Sequence, residues 1–459
     1  MQPEKFRTAV MLAAAALAGL SAAPGRAQAP RHLAEALAMA EHGAFAVRIA
    51  EGEATERSAG TLAALGGILP TLRVESGLSR TTDPIGAFGT TLRQRAITQA
   101  DFNPATLNHP AVAEDWSGAL VAEVPLVNAD AWLGRSAAGD ATAAARAMVD
   151  WARLSTRAQV VRAWFGATLA GEKVRTLEEA AHAARAHVKQ AELMVEQGLV
   201  TRSDALLAAV KAGQVDAMLA EARGEARNAR RGLATLLGRP DLDVAVPEQL
   251  PPAAAVRELA LDLSGPVGAG MEATRADVRA AHLGLDAAAG DVLRTRAAWL
   301  PRLNGMARME WHAADGLYRG QENWSVGVVA QWTPFAGAGQ LAAHRAANGR
   351  RAAAEARAEA AAANASLEVA TTADALAVAL ERLAIAERAV DQATEAHRIV
   401  TRKYEGGLAT VVELLDASAT ETQTRLEHAH ARYTVIDAGA GHALARGRDP
   451  GRFAILETP

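Results

Sequence analysis

The residues whose types and spacing invite chemistry gather in two short stretches. One reads Arg402-Lys403-Tyr404-Glu405-Gly406-Gly407-Leu408-Ala409-Thr410-Val411-Val412-Glu413-Leu414-Leu415-Asp416. The other lies 209 positions earlier and reads Val195-Glu196-Gln197-Gly198-Leu199-Val200-Thr201-Arg202-Ser203-Asp204. Glu413 and Asp416 are three apart, so on a helix both carboxylates share one face. Thr410 with Glu413, and Thr201 with Asp204, also have the spacing of a capping box. Each of those two capping acids therefore has a bland reading beside any functional one. Catalysis has little support. The chain lacks a zinc-binding HExxH, a phosphate-cradling GxxxxGK[ST] and a GxSxG nucleophile elbow. His182 and His187 are five apart and do not share a helix face, and His428 and His430 are two apart and face different ways. Met306 and Met309 read as strand residues rather than copper ligands. No metal site and no cofactor is expected.

The elements that must position these residues are long helices. Gly406-Gly407 and Gly198 reach the backbone angles that end one helix, and Thr410 and Thr201 can cap the next. Two tight turns at matching places mark an internal duplication. From about Ala129 to Glu196 the pattern is helical throughout, on the order of 100 Å at ~1.5 Å per residue. Its seam (Val160, Ala163, Ala167, Ala170, Val174, Leu177, Ala181, Ala184, Val188, Ala191, Val195) steps by three and four, as a heptad does. The returning helix, Ser203 to Leu237, has its own alanine-rich seam. A second long helix over 338–404 carries Leu383, Ala386, Val390, Ala393, His397, Val400 and Tyr404, and the last runs from Thr410 to Ala445. His397, Glu421, Thr424 and His428 weaken these seams and are expected to face water inside a tunnel.

Composition bounds the rest. Aromatics are 4% of 459 residues and the formal net charge is −4, so nothing points to nucleic acid. The absence of cysteine excludes disulfides, thiol catalysis, cysteine-zinc sites and a lipid-bearing N-terminal cysteine. Residues 1–29 read as a signal peptide: Lys5 and Arg7, an apolar run from Ala9 to Leu20, then small residues. No later stretch is long and apolar enough for a membrane helix, so only a closed β-barrel would place the chain in a membrane. One helix is expected over 32–69. Thr71 to Arg80 then alternates, with Leu72, Val74 and Leu78 against Arg73, Glu75 and Ser79, which predicts a strand with one apolar face. A structureless polar loop is expected over 81–115, then a strand from Trp116 stopped at Pro125. The second half repeats the order. A helix runs from Arg275 to Leu300, a strand follows Pro301, and another runs from Trp324 to Trp332.

Four spanning-type strands cannot close, and an open edge cannot sit in lipid. Copies must share one barrel. Eight strands from two chains would fill with side chains, whereas twelve from three leave a lumen. Trp116, Trp311, Trp324 and Trp332 flank or end strands, where interfacial aromatics belong.

The paired turns, the strand ends Val124-Pro125-Leu126 and Thr333-Pro334-Phe335, and Arg275-Ala276-Asp277-Val278-Arg279 resemble the TolC family of outer-membrane efflux proteins, over about residues 31–447. The resemblance implies a mainly α fold with a small β part and two repeats (30–251 and 252–459), each helix–strand–strand–long helix–helix. It implies a homotrimer with a shared twelve-stranded outer-membrane barrel above an α-helical barrel in the periplasm. The partners it implies are a periplasmic adaptor, an inner-membrane transporter and the outer-membrane lipid. The function it implies is passive conduction in tripartite efflux or type I secretion. Heavy-metal cation efflux is the alternative within that class, and a soluble periplasmic coiled-coil scaffold the alternative outside it. By the same resemblance Asp204 and Tyr404 form a periplasmic gate contact between neighbouring helix pairs. Glu413 and Asp416 form an acidic constriction ring that attracts cations and raises some of its own pKa values. Gly198, Leu199, Val200, Gly407, Leu408 and Ala409 form the adaptor-contact tips. The chain departs from the pattern at Ala276, at His42-Gly43, and at Ala409, where a basic latch residue is usual. Arg402, Lys403 or Arg202 are the candidates to replace that latch.

Overall fold

The computed structural model describes residues 29–264, 275–316 and 320–457. The leader expected over 1–29 lies, but for its last residue, outside them. The helices are α1 (Leu33–Gly43), α2 (Phe45–Ala63), α3 (Pro84–Arg93), α4 (Pro104–Asn108), α5 (Ala129–Glu196), α6 (Arg202–Leu236), α7 (Ala253–Ser264), α8 (Ala276–Ala297), α9 (Gly339–Glu405) and α10 (Val411–Ala445). The strands are β1 (Thr71–Thr81), β2 (Ala113–Val127), β3 (Arg302–Ala313) and β4 (Gln321–Gln331). Helices α5 and α6 form a first hairpin and α9 and α10 a second, and α5 packs against α10 between them. The heptad seams are where burial falls. Leu177, Ala181 and Ala191 are buried on α5, Ala208, Ala212, Leu219, Ala222 and Ala226 on α6, and Leu383, Ala393 and Tyr404 on α9.

The main core is a belt at the middle of the molecule. There α1 buries Leu33, Ala36, Leu37 and Ala40 against Val160, Val161, Trp164 and Phe165 of α5, together with Leu233, Val256, Leu383, Ile436 and Phe453. The single helix expected over 32–69 is broken at Ala44, which has extended angles (φ −61°, ψ 135°). The cause is a close crossing. A side chain on Gly43 would lie 2.8 Å from the Leu237 carbonyl oxygen, and one on Gly238 would lie 2.0 Å from that of Gly43. The segment over 81–115 is not structureless. Asp83 caps α3, accepting from the Gly86 N–H at 2.6 Å, with Pro84 at its first position. Helix α7 follows directly on Pro251-Pro252, where the sequence reading places no element.

The four strands form one antiparallel sheet in the order β1-β2-β3-β4. β2 runs past Pro125 to Val127 through a register shift. Pairing with β1 ends at Glu123, so the missing proline N–H interrupts no bond on that side. The register puts Leu72, Val74, Leu78, Leu120, Met309, Val326 and Val328 on one face, and Arg73, Glu75, Asp115, Arg308, Glu310 and His312 on the other. The apolar face is open to its surroundings, with Val74 78% and Val326 73% exposed. Trp116, Trp311 and Trp324 stand on it near one end. Trp332 lies at the other, where its Nε1–H donates to the Trp299 carbonyl at 3.1 Å. Eight residues separate Trp324 from Trp332, about 26 Å at ~3.3 Å each, close to the apolar band of an outer-membrane barrel, ~25 Å. Trp132 and Trp299, which the sequence reading missed, are exposed as well, and Trp299 lies against Trp332. Among the described residues no helix is long and apolar enough to cross a membrane.

Candidate functional site

The two hairpin turns are one structure built twice. Gly198 and Gly407 have φ of 71° and 70°, the left-handed region that glycine enters without strain. In the first turn Leu199 N–H donates to the Met194 carbonyl at 2.9 Å and Gly198 N–H to that of Val195 at 3.0 Å; in the second, Leu408 donates to Lys403 at 2.7 Å and Gly407 to Tyr404 at 3.0 Å. This pair of bonds is the Schellman closure. The next helices begin with true capping boxes. Thr201 N–H donates to Asp204 Oδ2 at 3.0 Å, and Asp204 N–H returns to Thr201 Oγ1 at 3.3 Å. The equivalent bonds of Thr410 and Glu413 are 2.7 Å and 3.2 Å.

The caps set the electrostatics. The Thr201 hydroxyl, then its N–H, hold the Asp204 carboxyl below its usual range. The Thr410 N–H, then its hydroxyl, do the same for Glu413, with a smaller pull from Lys403. Within one protomer the direction for Glu413 is thus opposite to the rise expected of a carboxylate ring. Glu413 and Asp416 are both exposed, on one face of α10. Lys403, of the three basic residues expected to replace the latch, is the one whose field reaches Glu413; that of Arg402 reaches Glu395.

Tyr404 is 5% exposed, packed with Ala191, Ala208, Val411, Leu414 and Leu415. Its hydroxyl donates to Met194 Sδ at 3.1 Å. Burial first, and then the Asp204 charge, push the phenol up. The tyrosine and the carboxylate therefore feel each other, but inside the protomer each is bonded elsewhere. Met194 had no signal in the sequence. Of the tip residues, Leu199 and Leu408 project into solvent at 66% and 82% exposure, while Val200 and Ala409 pack against the Tyr404 cluster.

Higher in the stalk, the polar seam residues expected to face water are half-buried within the protomer. His397 Nδ1 and Glu421 Oε2 bond each other between α9 and α10, with side chains only 20% and 12% exposed. Thr394 Oγ1 donates to Glu421 at 3.2 Å, and Arg425 also pairs with it. Burial works to raise the Glu421 pKa, but the His397 bond and the Arg425 charge leave it below its usual value. Thr424 turns its hydroxyl back to the Thr420 carbonyl at 3.0 Å. His428 Nε2 is buried without a partner.

A sheet that is apolar outside and charged inside, standing on two helical hairpins with acid-bearing tips, defines a membrane-anchored helical conduit. The family model described as "Outer membrane efflux protein" matches residues 40–239 and 271–441. The chain belongs to this family, and its place is the outer membrane with the hairpins reaching into the periplasm. Solved structures agree on the fold. The Campylobacter jejuni CmeC outer membrane channel is 14% identical at a TM-score of 0.76, over 93% of this chain and 90% of that one. The outer membrane protein VceC of Vibrio cholerae is 19% identical at 0.75, over 91% and 96%. The open-state Neisseria gonorrhoeae MtrE channel is 21% identical at 0.70, over 92% and 90%. No curated protein sequence matches the chain. The exposed apolar sheet face overturns the soluble-scaffold alternative.

Proposed function

We propose that three copies pool their strands into one twelve-stranded barrel above a shared helical tunnel. The assembly is the passive exit duct of a tripartite export system. The observation that carries this reading is the sheet itself. Its outer strands, β1 and β4, each pair on one side only, and bare edges are not tolerated in lipid. Twelve strands leave a water-filled lumen. The inner-membrane transporter supplies energy, and a periplasmic adaptor engages the tips, where Leu199 and Leu408 stand free. Tyr404 and Asp204 are assigned to the gate. In that assignment the phenol leaves Met194 for the carboxylate of an adjoining helix pair, a stronger, charge-assisted bond. Glu413 and Asp416 supply the acidic ring, which favours cations and keeps heavy-metal cation efflux as the narrower alternative to drug efflux or type I secretion.

The test is extraction and reconstitution. The mature protein should need detergent, run on a gel as a heat-sensitive oligomer about three times the monomer mass, and give stepwise currents in planar bilayers. A stable, water-soluble monomer would refute the proposal.

A further inference from the structure

The first and second hairpins are riveted along the α5–α10 seam by a ladder of ion pairs that stops short of the tip. Arg162 Nε meets Asp437 Oδ1 at 2.8 Å. Below it, Glu172 and Arg432 form a buried pair in which Glu172 also accepts the Leu250 N–H at 2.9 Å. Next, Arg425 Nη1 lies 3.6 Å from Glu179 Oε2. Continuing that antiparallel register brings His187 of α5 opposite Ser418 of α10, and there the charges cease. His187, Lys211 and Gln214 line a cavity of about 290 Å³ with Leu415, Ser418 and Thr422. No carboxylate lines it. His187 Nε2 is buried without a hydrogen-bond partner.

We propose that His187 is a proton-sensitive joint that lets the lower thirds of the two hairpins part when the periplasm turns acid. The proposal rests on the channel reading above. No group facing His187 supplies a counter-charge, and Gln214 of α6 offers only an amide. From α6 comes the Lys211 ammonium, which makes no ion pair among the described residues. From α9 comes His397, whose charge opposes that of His187. From α10 come the hydroxyls of Ser418 and Thr422; the nearby Glu421 carboxylate is already taken by His397, Thr394 and Arg425. On α5 itself, Arg185 is paired with Asp216. A proton added to His187 therefore enters a half-buried space with no counter-ion, where burial and His397 already hold the imidazole below its usual value. His428, higher in the stalk, is also lowered by burial and then by the Arg432 charge, but there the charges of Glu387, Glu172 and Asp391 offset part of the shift, an offset that His187 lacks.

The sign follows from linkage. An imidazole depressed in the packed joint contributes packing above the ordinary histidine value, about 6.5, and that contribution is lost as pH falls below it. The loss is felt at the gate, because Leu415 lines the His187 cavity and also packs in the Tyr404 cluster. The tip carboxylates do not confuse the signal. Asp204 and Glu413 are held below the usual carboxylate range and stay charged through this window.

The experiment is single-channel recording of the full-length protein in planar bilayers at symmetrical pH. Wild-type protein should show an open-channel fraction rising about tenfold between about pH 7.5 and about pH 5.5. His187→Leu and the polar, uncharged His187→Gln should both stay near the low-open level throughout. His187→Lys should be open already at the higher pH. A wild-type acid response retained in His187→Gln, or no acid response in wild type, would overturn the joint while leaving the channel reading intact. The absence of current at every pH would remove both.

Discussion

The two hairpins share their tips to the bond but are held together by different means. The first is zipped along its outside by Lys173–Glu225, Glu178–Arg223 and Arg185–Asp216, ion pairs between α5 and α6 whose side chains are all more than a third exposed. The second has no Lys or Arg bridge between α9 and α10 among the described residues. In its place stands His397–Glu421, mostly buried and reinforced by Arg425. Surface pairs are worth little each and are screened by salt, so the first hairpin depends chiefly on its alanine seam. The second places a titratable group inside the seam. The duplicated halves have thus kept the turn, where backbone groups need fixed partners, and have diverged in the shafts, where many packings serve.

The largest effect that tests this contrast is on the pair between the hairpins. Glu172→Ala strands Arg432 and the Leu250 N–H in a buried site, which should cost about 3–5 kcal/mol. Glu178→Ala, on the screened surface of the first hairpin, should cost no more than about 1 kcal/mol. Thermal unfolding of the detergent-solubilised oligomer measures both, and equal losses would break the distinction. Next comes Glu421→Gln, which removes the charge and one of the two acceptor oxygens shared by His397, Thr394 and Arg425 and should cost about 1–2 kcal/mol, against less than about 1 for Asp216→Asn. Because the Glu421 pKa is depressed in the folded protein, its contribution is present above the ordinary glutamate value of 4.5 and is lost as pH falls through the lowered one. The gap between wild type and Glu421→Gln should therefore narrow in acid; a gap that widens would reverse the assignment. The smallest effect on stability, read in current instead, is at the tip. Glu413→Ala with Asp416→Ala should lower the cation-over-anion permeability ratio by several-fold, and Asp204→Ala, on the other tip, should do so less. Unchanged selectivity in the double variant would mean that these carboxylates do not face the ion path.

Much of this architecture was legible in the sequence because its signals are long or repeated. A heptad seam on α5 has many chances to average out noise, and the glycine–threonine–acid design occurs at both turns with one offset. The strands were legible from alternation. What escaped depends on distant groups. The break at Gly43 is forced by the end of α6, nearly two hundred residues away. Pro125 reads as a stop because the partner strand β1, whose pairing reaches only Glu123, is invisible locally. The α3 signal, Asp83 before Pro84, was present and outweighed by the polarity of the loop. At the tip, caps and glycines could be read from spacing alone. The preference of Tyr404 for Met194, and of His397 for Glu421, depends on which helices meet, and no local pattern encodes that.

The bare margins of β1 and β4, with a sheet face as oily as lipid between them, make the lone polypeptide a hazardous traveller. Until those margins are covered it offers any passing strand a template and any apolar surface a landing place. Its journey from secretion to its final bilayer should therefore require an escort that masks this region, and stray copies should be quickly destroyed.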